Sequence, residues 1–147
     1  MNDTDNLWIL EEPVSSVYNI KHRSFYLAKN VILFIGKQKL DKLYYSLFDQ
    51  LIRSVSSIGA NLVEGVAGAS KKDFIKFNTI ALKSANETKY WLCLIKDTLD
   101  LSKDELQKFI KETDEISKII ATIIIHTKGE KVENKKEEMD IDNNTEN

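Results

Sequence analysis

Two apolar stripes that meet at one tight break constrain this chain more than any other feature. Tyr44, Leu47, Leu51, Val55, Ile58 and Leu62 recur in steps of three and four, and Phe48 and Ile52 widen the stripe. That spacing keeps side chains on one face of a 3.6-residue helix. Gly65-Val66-Ala67-Gly68-Ala69 interrupts the pattern, and Ser70-Lys71-Lys72-Asp73 opens a second one. Ser70 with Asp73 three residues on has capping-box spacing, in which the hydroxyl accepts from an unpaired backbone N–H of the first turn. The second stripe, Phe74, Phe77, Ala81, Ala85, Thr88, Leu92, Ile95 and Leu99, again has helical spacing. The stretch therefore reads as helix, turn, helix, an antiparallel pair with a glycine-containing elbow.

The same periodicity extends to both sides. Val17, Ile20, Ser24, Leu27, Val31 and Phe34 predict a helix over about 16–35, with Gly36 as its stop. Asp41 is placed to cap the helix that carries the Tyr44–Leu62 stripe. Ser102-Lys103-Asp104-Glu105 repeats the capping-box spacing ahead of Leu106, Phe109, Ile110, Thr113, Ile116, Ile120, Ile123 and Ile124, and Gly129 is expected to end that helix. With one proline and five glycines in 147 residues, long helices are favoured over a turn-rich sheet. Four amphipathic helices with short connections predict an all-α, antiparallel up-down-up-down four-helix bundle with flexible acidic termini. The expected boundaries are an N-terminal tail over 1–16, the bundle over 17–128 and a disordered acidic tail over 129–147. In the tail Leu7-Trp8-Ile9-Leu10 is costly to leave in water, so it folds back on the protein or docks another one.

Some details go beyond a plain bundle. Tyr18, Phe25 and Ile32 form a second apolar line on the first helix, seven residues apart, which is surplus to a monomeric core and marks an oligomer interface. Gly59 interrupts the second helix at a cost of roughly 1 kcal/mol relative to alanine, so a close helix–helix approach is expected there. The small residues Ala81, Ser84 and Ala85 of the third helix are its expected partners. Asn61, Glu64, Asn86 and Glu87 lie beside these stripes, and we expect them to cap neighbouring turns and hydrogen-bond across helices, the alternative being a polar site on the assembly surface. They have no partner residues for acid–base work.

Function classes are narrowed mostly by exclusion. The chain has one cysteine, Cys93, so no internal disulfide forms. The apolar stretch Ile119 to Ile125, interrupted by Thr122, is far short of the ~20 residues of a membrane span, and the acidic start lacks the basic opening of a secretion signal. A cytoplasmic protein is expected. The two histidines, His22 and His126, are far apart, and neither follows a glutamate at the spacing of a di-iron bundle. No glycine-rich phosphate loop occurs, and neither Arg23 nor Arg53 is followed by histidine at helical-nuclease spacing. No catalytic residue, metal, cofactor or small-molecule substrate is indicated. Formal charge is −2 overall, yet 1–13 carries four acids and no base, and 128–147 carries four lysines and seven acids. The middle, 14–127, therefore holds 17 bases against 12 acids. Such a balance permits an anionic partner. Lys71, Lys72 and Lys76 beside the third helix's N-terminus, together with Arg53, are the candidate nucleic-acid-binding residues.

Three blocks carry a resemblance: Arg53 with Ser57-Ile58-Gly59-Ala60-Asn61-Leu62-Val63-Glu64-Gly65; Ser70 to Phe77; and Ile80-Ala81-Leu82-Lys83-Ser84-Ala85-Asn86-Glu87. In their spacing the chain resembles, over about 17–127, the bacterial four-helix bundle family, also called the 23S rRNA-intervening-sequence protein family. The resemblance implies an up-down bundle assembled as a ring-like homopentamer, and a gene often carried within inserts in large-subunit rRNA genes. A related branch serves as the accessory subunit of diversity-generating reverse transcriptases, where a basic pentamer binds RNA and the polymerase. The family usually has proline where Gly59 stands and a basic, arginine-containing turn where Val66-Ala67-Gly68-Ala69 stands. The expectation is a non-enzymatic, homo-oligomeric scaffold or binding module for structured RNA, with a protein-interaction adaptor for a reverse transcriptase as the alternative.

Overall fold

The computed structural model describes the backbone of residues 19–144 and the side chains of residues 19–129. Four helices follow one another: α1 (Ile20–Gly36), α2 (Tyr45–Ala67), α3 (Lys71–Thr98) and α4 (Lys103–Asn144). Among the described residues there is no strand. Each helix packs on the next, and α1 also meets α4, which closes the up-down-up-down four-helix bundle. The α2–α3 and α3–α4 seams are the most extensive, and α1–α4 is the thinnest.

The start and stop signals act as local chemistry requires. Asn19, in an extended conformation, caps α1 by accepting from the backbone N–H groups of Lys21 and His22. α1 thus begins at Ile20, one turn later than the apolar spacing placed it. Val17 and Tyr18, the N-terminal tail and Leu7–Leu10 lie outside the described residues. Asp41 caps as expected, but first a single 3-10 turn, Lys42–Tyr44, which then runs into α2. Ser70 accepts from Asp73 N at 3.1 Å and Ser102 from Glu105 N at 3.3 Å, so both serine caps form. α4 does not stop at Gly129: its backbone continues to Asn144. No described glycine has a positive φ, so Gly129 does not make the left-handed turn that ends many helices. The side chains of 130–144 and residues 145–147 lie outside the described set.

The core comes from the stripes. Leu27, Val31 and Phe34 of α1, Leu51, Val55, Ile58 and Leu62 of α2, Ala81, Ala85, Leu92 and Ile95 of α3, and Leu106, Ile116, Ile120 and Ile124 of α4 are buried. Phe34 meets Phe109 edge-on, with ring centroids 5.6 Å apart, across the α1–α4 seam. Phe48, rather than the in-stripe Leu47, fills the start of α2.

Polar groups between α2 and α3 are paired. The hydroxyls of Thr88 and Ser54 lie 3.0 Å apart, and those of Ser84 and Ser57 lie 2.9 Å apart. Ala81, Ser84 and Ala85 allow this close approach. Gly59 does not serve that seam. A Cβ there would meet Ser24 Cβ at 3.5 Å and Phe25 N at 3.7 Å, so Gly59 faces α1. Within α2 the glycine against α3 is Gly65, where a Cβ would sit 3.2 Å from Asn78 Nδ2 and from Phe77 Cβ.

Candidate functional site

The cations expected to bind an anion fall in two places. Lys71, Lys72 and Lys76 gather on the first turns of α3, beside the Gly68–Ser70 elbow, with Lys72 and Lys76 exposed. The Lys76 ammonium lies 5.5 Å from the centre of the Phe77 ring, which shields one side of the aromatic. Arg53 is elsewhere: it stands 14 residues before the end of α2, about 20 Å along the axis from the elbow. It donates to Asp49 at 2.8 Å, one turn back, with both side chains mostly in water. Such a pair contributes only about 0.3–0.5 kcal/mol and releases the arginine readily.

The four polar residues expected to join helices bond within their own helix or stand exposed. Asn61 donates back to Ser57 O at 2.8 Å and Ser57 Oγ at 2.9 Å, within α2. Glu87 accepts from the Trp91 indole N–H at 3.1 Å, within α3. Glu64 and Asn86 are exposed. Between α2 and α3 the cross-helix hydrogen bonds are instead made by serine and threonine hydroxyls. Their small size hid them in the sequence, since a short hydroxyl at a stripe position reads as filler.

Of the expected oligomer line, Tyr18 lies outside the described residues. Phe25 is half-buried, its ring edge-on to Tyr26 at 5.5 Å, and Ile32 is 44% exposed with Leu33 beside it at 52%. Because Gly59 faces Ser24 and Phe25, the flank of α1 that holds Phe25 and Ile32 adjoins the flank of α2 that holds Ile52, Val63 and Val66. Val66 is 52% exposed, which continues this apolar edge to the end of α2.

Sequence reasoning missed the strongest electrostatic feature. Arg23 of α1 donates through Nε to Glu112 at 2.7 Å and through Nη2 to Glu112 at 2.7 Å and Glu115 at 2.6 Å. The hydrogen bond to Glu112, then that to Glu115 and the charge of both carboxylates, hold the guanidinium's pKa above its ordinary value despite partial burial. Its only sequence signal is two glutamates three apart on the flank of α4. Beside this clamp a groove of about 470 Å³ runs between α1 and α4, past His22, Tyr26, Asn30, Lys108 and Phe109. On the other flank of α4, Asp114 joins Lys89 of α3 at 2.9 Å and Lys118 at 2.7 Å. The hydrogen bond from Lys118 and then that from Lys89 hold its carboxyl below the usual range.

Among the described residues no three His, Cys, Asp or Glu side chains gather as a metal site. Glu112 and Glu115 are held by Arg23, and the Cys93 thiol is half-buried. Among the described residues no helix is long and apolar enough to cross a membrane.

A family model described as 23S rRNA-intervening sequence protein matches residues 17–122. A solved crystal structure of a protein of unknown function, from the S23 ribosomal protein family of Bacteroides thetaiotaomicron VPI-5482, superimposes with a TM-score of 0.63 at 33% identity. That match covers 71% of this chain and 97% of the other. No curated protein matches significantly. With the bundle, its elbow and the matched span in agreement, the chain belongs to the 23S rRNA-intervening sequence protein family.

Proposed function

We propose that the protein is a non-enzymatic, self-associating helical-bundle module that binds structured RNA by phosphate contacts, repeated around a ring-like homo-oligomer for which five subunits are favoured. The observation that carries the reading is the contrast between spent and exposed cations. Arg23 is held inside the protomer by two carboxylates, whereas Lys72 and Lys76 stand exposed at an elbow whose helix N-terminus adds its own positive end. Repeating a weak patch around a ring multiplies its avidity without new contacts. The apolar edge formed by Phe25, Ile32, Ile52, Val63 and Val66 supports the self-association. The family name, which ties these proteins to inserts in 23S rRNA, agrees with an RNA partner.

A gel-shift series with a structured RNA tests the binding. Affinity should fall steeply between low and moderate salt, because phosphate neutralisation releases counterions. No shift at low salt removes RNA from the account. Light scattering tests the assembly, and a monomer mass at micromolar concentration refutes it. The alternative is an adaptor that docks a reverse transcriptase through the apolar Leu7–Leu10 segment or the surface of the ring. A pull-down that loses its protein partner when residues 1–13 are deleted, with RNA binding unchanged, favours that alternative.

A further inference from the structure

α3 has an outward strip that the elbow lysines only begin. Lys72, Lys76, Lys83 and Tyr90 are all exposed and follow one another in steps of four, seven and seven residues. At about 100° per residue these steps keep the four side chains within roughly 40° of one another on the helix surface. They span 18 residues, or about 27 Å of helix. Between them on that face stands Thr79, which turns inward to donate to Ile75 O at 2.7 Å. Glu87 flanks the strip, with its carboxylate accepting from Trp91, and Asp97 lies beyond its far end. On the neighbouring α2 the exposed acids are Glu64 and Asp49, the latter paired with Arg53.

Tyr90 gives the strip its second chemistry. It is 60% exposed, and Trp91 sets its ring at 77°, with centroids 5.0 Å apart. A large aromatic left that open, at the end of a row of three lysines, combines a π-face with a run of phosphate-sized charges. Single-stranded nucleic acid matches that combination, since its unstacked bases are available to an aromatic while its backbone follows the cations. A duplex offers the phosphates but keeps its bases stacked inside.

We propose that the outer strip of α3 is a track for single-stranded RNA, with phosphates on Lys72, Lys76 and Lys83 and a base stacked on Tyr90. This inference rests on the RNA reading above and adds the form of RNA that this face takes: an unpaired segment, such as a loop or a flank of a folded RNA.

Fluorescence anisotropy with a labelled single-stranded oligouridylate and a labelled RNA duplex of equal length tests the proposal on the full-length protein. Wild type should bind the single strand more tightly than the duplex. Tyr90→Ala should weaken single-strand binding roughly tenfold with little change for the duplex, and Tyr90→Phe should restore it. Lys83→Ala should lower the slope of log affinity against log salt by about 0.7, one phosphate's share on a single strand. Equal loss on both ligands, or none with Tyr90→Ala, overturns the track while leaving the RNA reading in place. Absence of RNA binding by wild type overturns both. A change in oligomeric mass with Tyr90→Ala assigns this face to contacts between copies and likewise overturns the track.

Discussion

Replacing Arg23 with methionine tests how the thin α1–α4 seam is held. The side chain is 22% exposed and its partners Glu112 and Glu115 are 35% and 46% exposed, so the cluster lies between a surface pair and a buried one. Two unit charges about 4 Å apart at an effective dielectric near 20 attract by roughly 4 kcal/mol before desolvation and side-chain ordering are subtracted. Exposed pairs retain about 0–1 kcal/mol of that, and breaking fully buried pairs costs about 3–5. Losing Arg23 also leaves two carboxylates three residues apart without the guanidinium that joins them. The expected cost is therefore about 2 kcal/mol, equivalent to a Tm drop of roughly 6–10 °C for a bundle of this size. Urea unfolding followed by far-UV circular dichroism at fixed protein concentration measures it, the fixed concentration removing any shift from self-association. Glu112→Gln and Glu115→Gln added to Arg23→Met should recover most of the loss, since the stranded charges are then gone. A cost below about 0.5 kcal/mol, or no recovery in the combined variant, refutes the reasoning. The penalty should also shrink as salt is raised, because all three groups reach solvent.

Three further perturbations follow from the same geometry. Asp114 has its pKa lowered by Lys118 and Lys89, so its stabilisation is present above its ordinary value of 3.8 and is lost as pH falls through the lower, folded-state value. In a series of Tm measurements from neutral to strongly acid pH, Asp114→Asn should reduce stability at neutral pH and flatten part of the acid decline; an unchanged acid limb counts against the assignment. Gly59→Ala should be neutral to stabilising by up to about 1 kcal/mol, since its Cβ would meet α1 at ordinary van der Waals distance. Gly65→Ala, whose Cβ would press on Asn78 and Phe77 at 3.2 Å, should gain less or destabilise, and equal Tm shifts for the two variants contradict the placement. Thr88→Val keeps the volume but deletes the buried hydroxyl beside Ser54 and Ser84; it should cost about 0.5–1.5 kcal/mol, and a stabilised variant would show the seam hydroxyls to be dispensable.

Helix identity was legible because a 3.6-residue period needs no knowledge of neighbours. Ser24, Leu27, Val31 and Phe34, and likewise Leu51, Val55, Ile58 and Leu62, are buried where the spacing placed them. Caps were legible for the same reason, since Ser70, Ser102 and Asp41 act within three residues of themselves. Less was legible where two local signals competed. At the start of α1, apolar spacing pointed to about Ser16, whereas the Asn19 side chain takes the first N–H groups and sets the start at Ile20. At Gly129 composition argued for a stop, yet glycine's cost of about 1 kcal/mol does not end a helix whose φ stays negative.

The candidate site was legible only in part. Lys71, Lys72 and Lys76 are close in sequence and therefore close in space, while Arg53, grouped with them by charge, stands about 20 Å from the elbow along the axis of α2.

By itself the sequence determined four rods, their polarity and the faces turned to the core, because short-range spacing and chain connectivity are sufficient for those. Only the tertiary structure decided which flank of each rod meets which neighbour. That choice set Gly59 against α1 instead of α3, and joined Arg23 to Glu112 across 89 residues of chain. It also gave the α2–α3 seam to serine and threonine hydroxyls rather than to Asn61, Glu64, Asn86 and Glu87. The physical reason is that a helix repeats its side chains around a cylinder, and periodicity fixes the inward direction but leaves the two flanks equivalent until a neighbour packs on one of them.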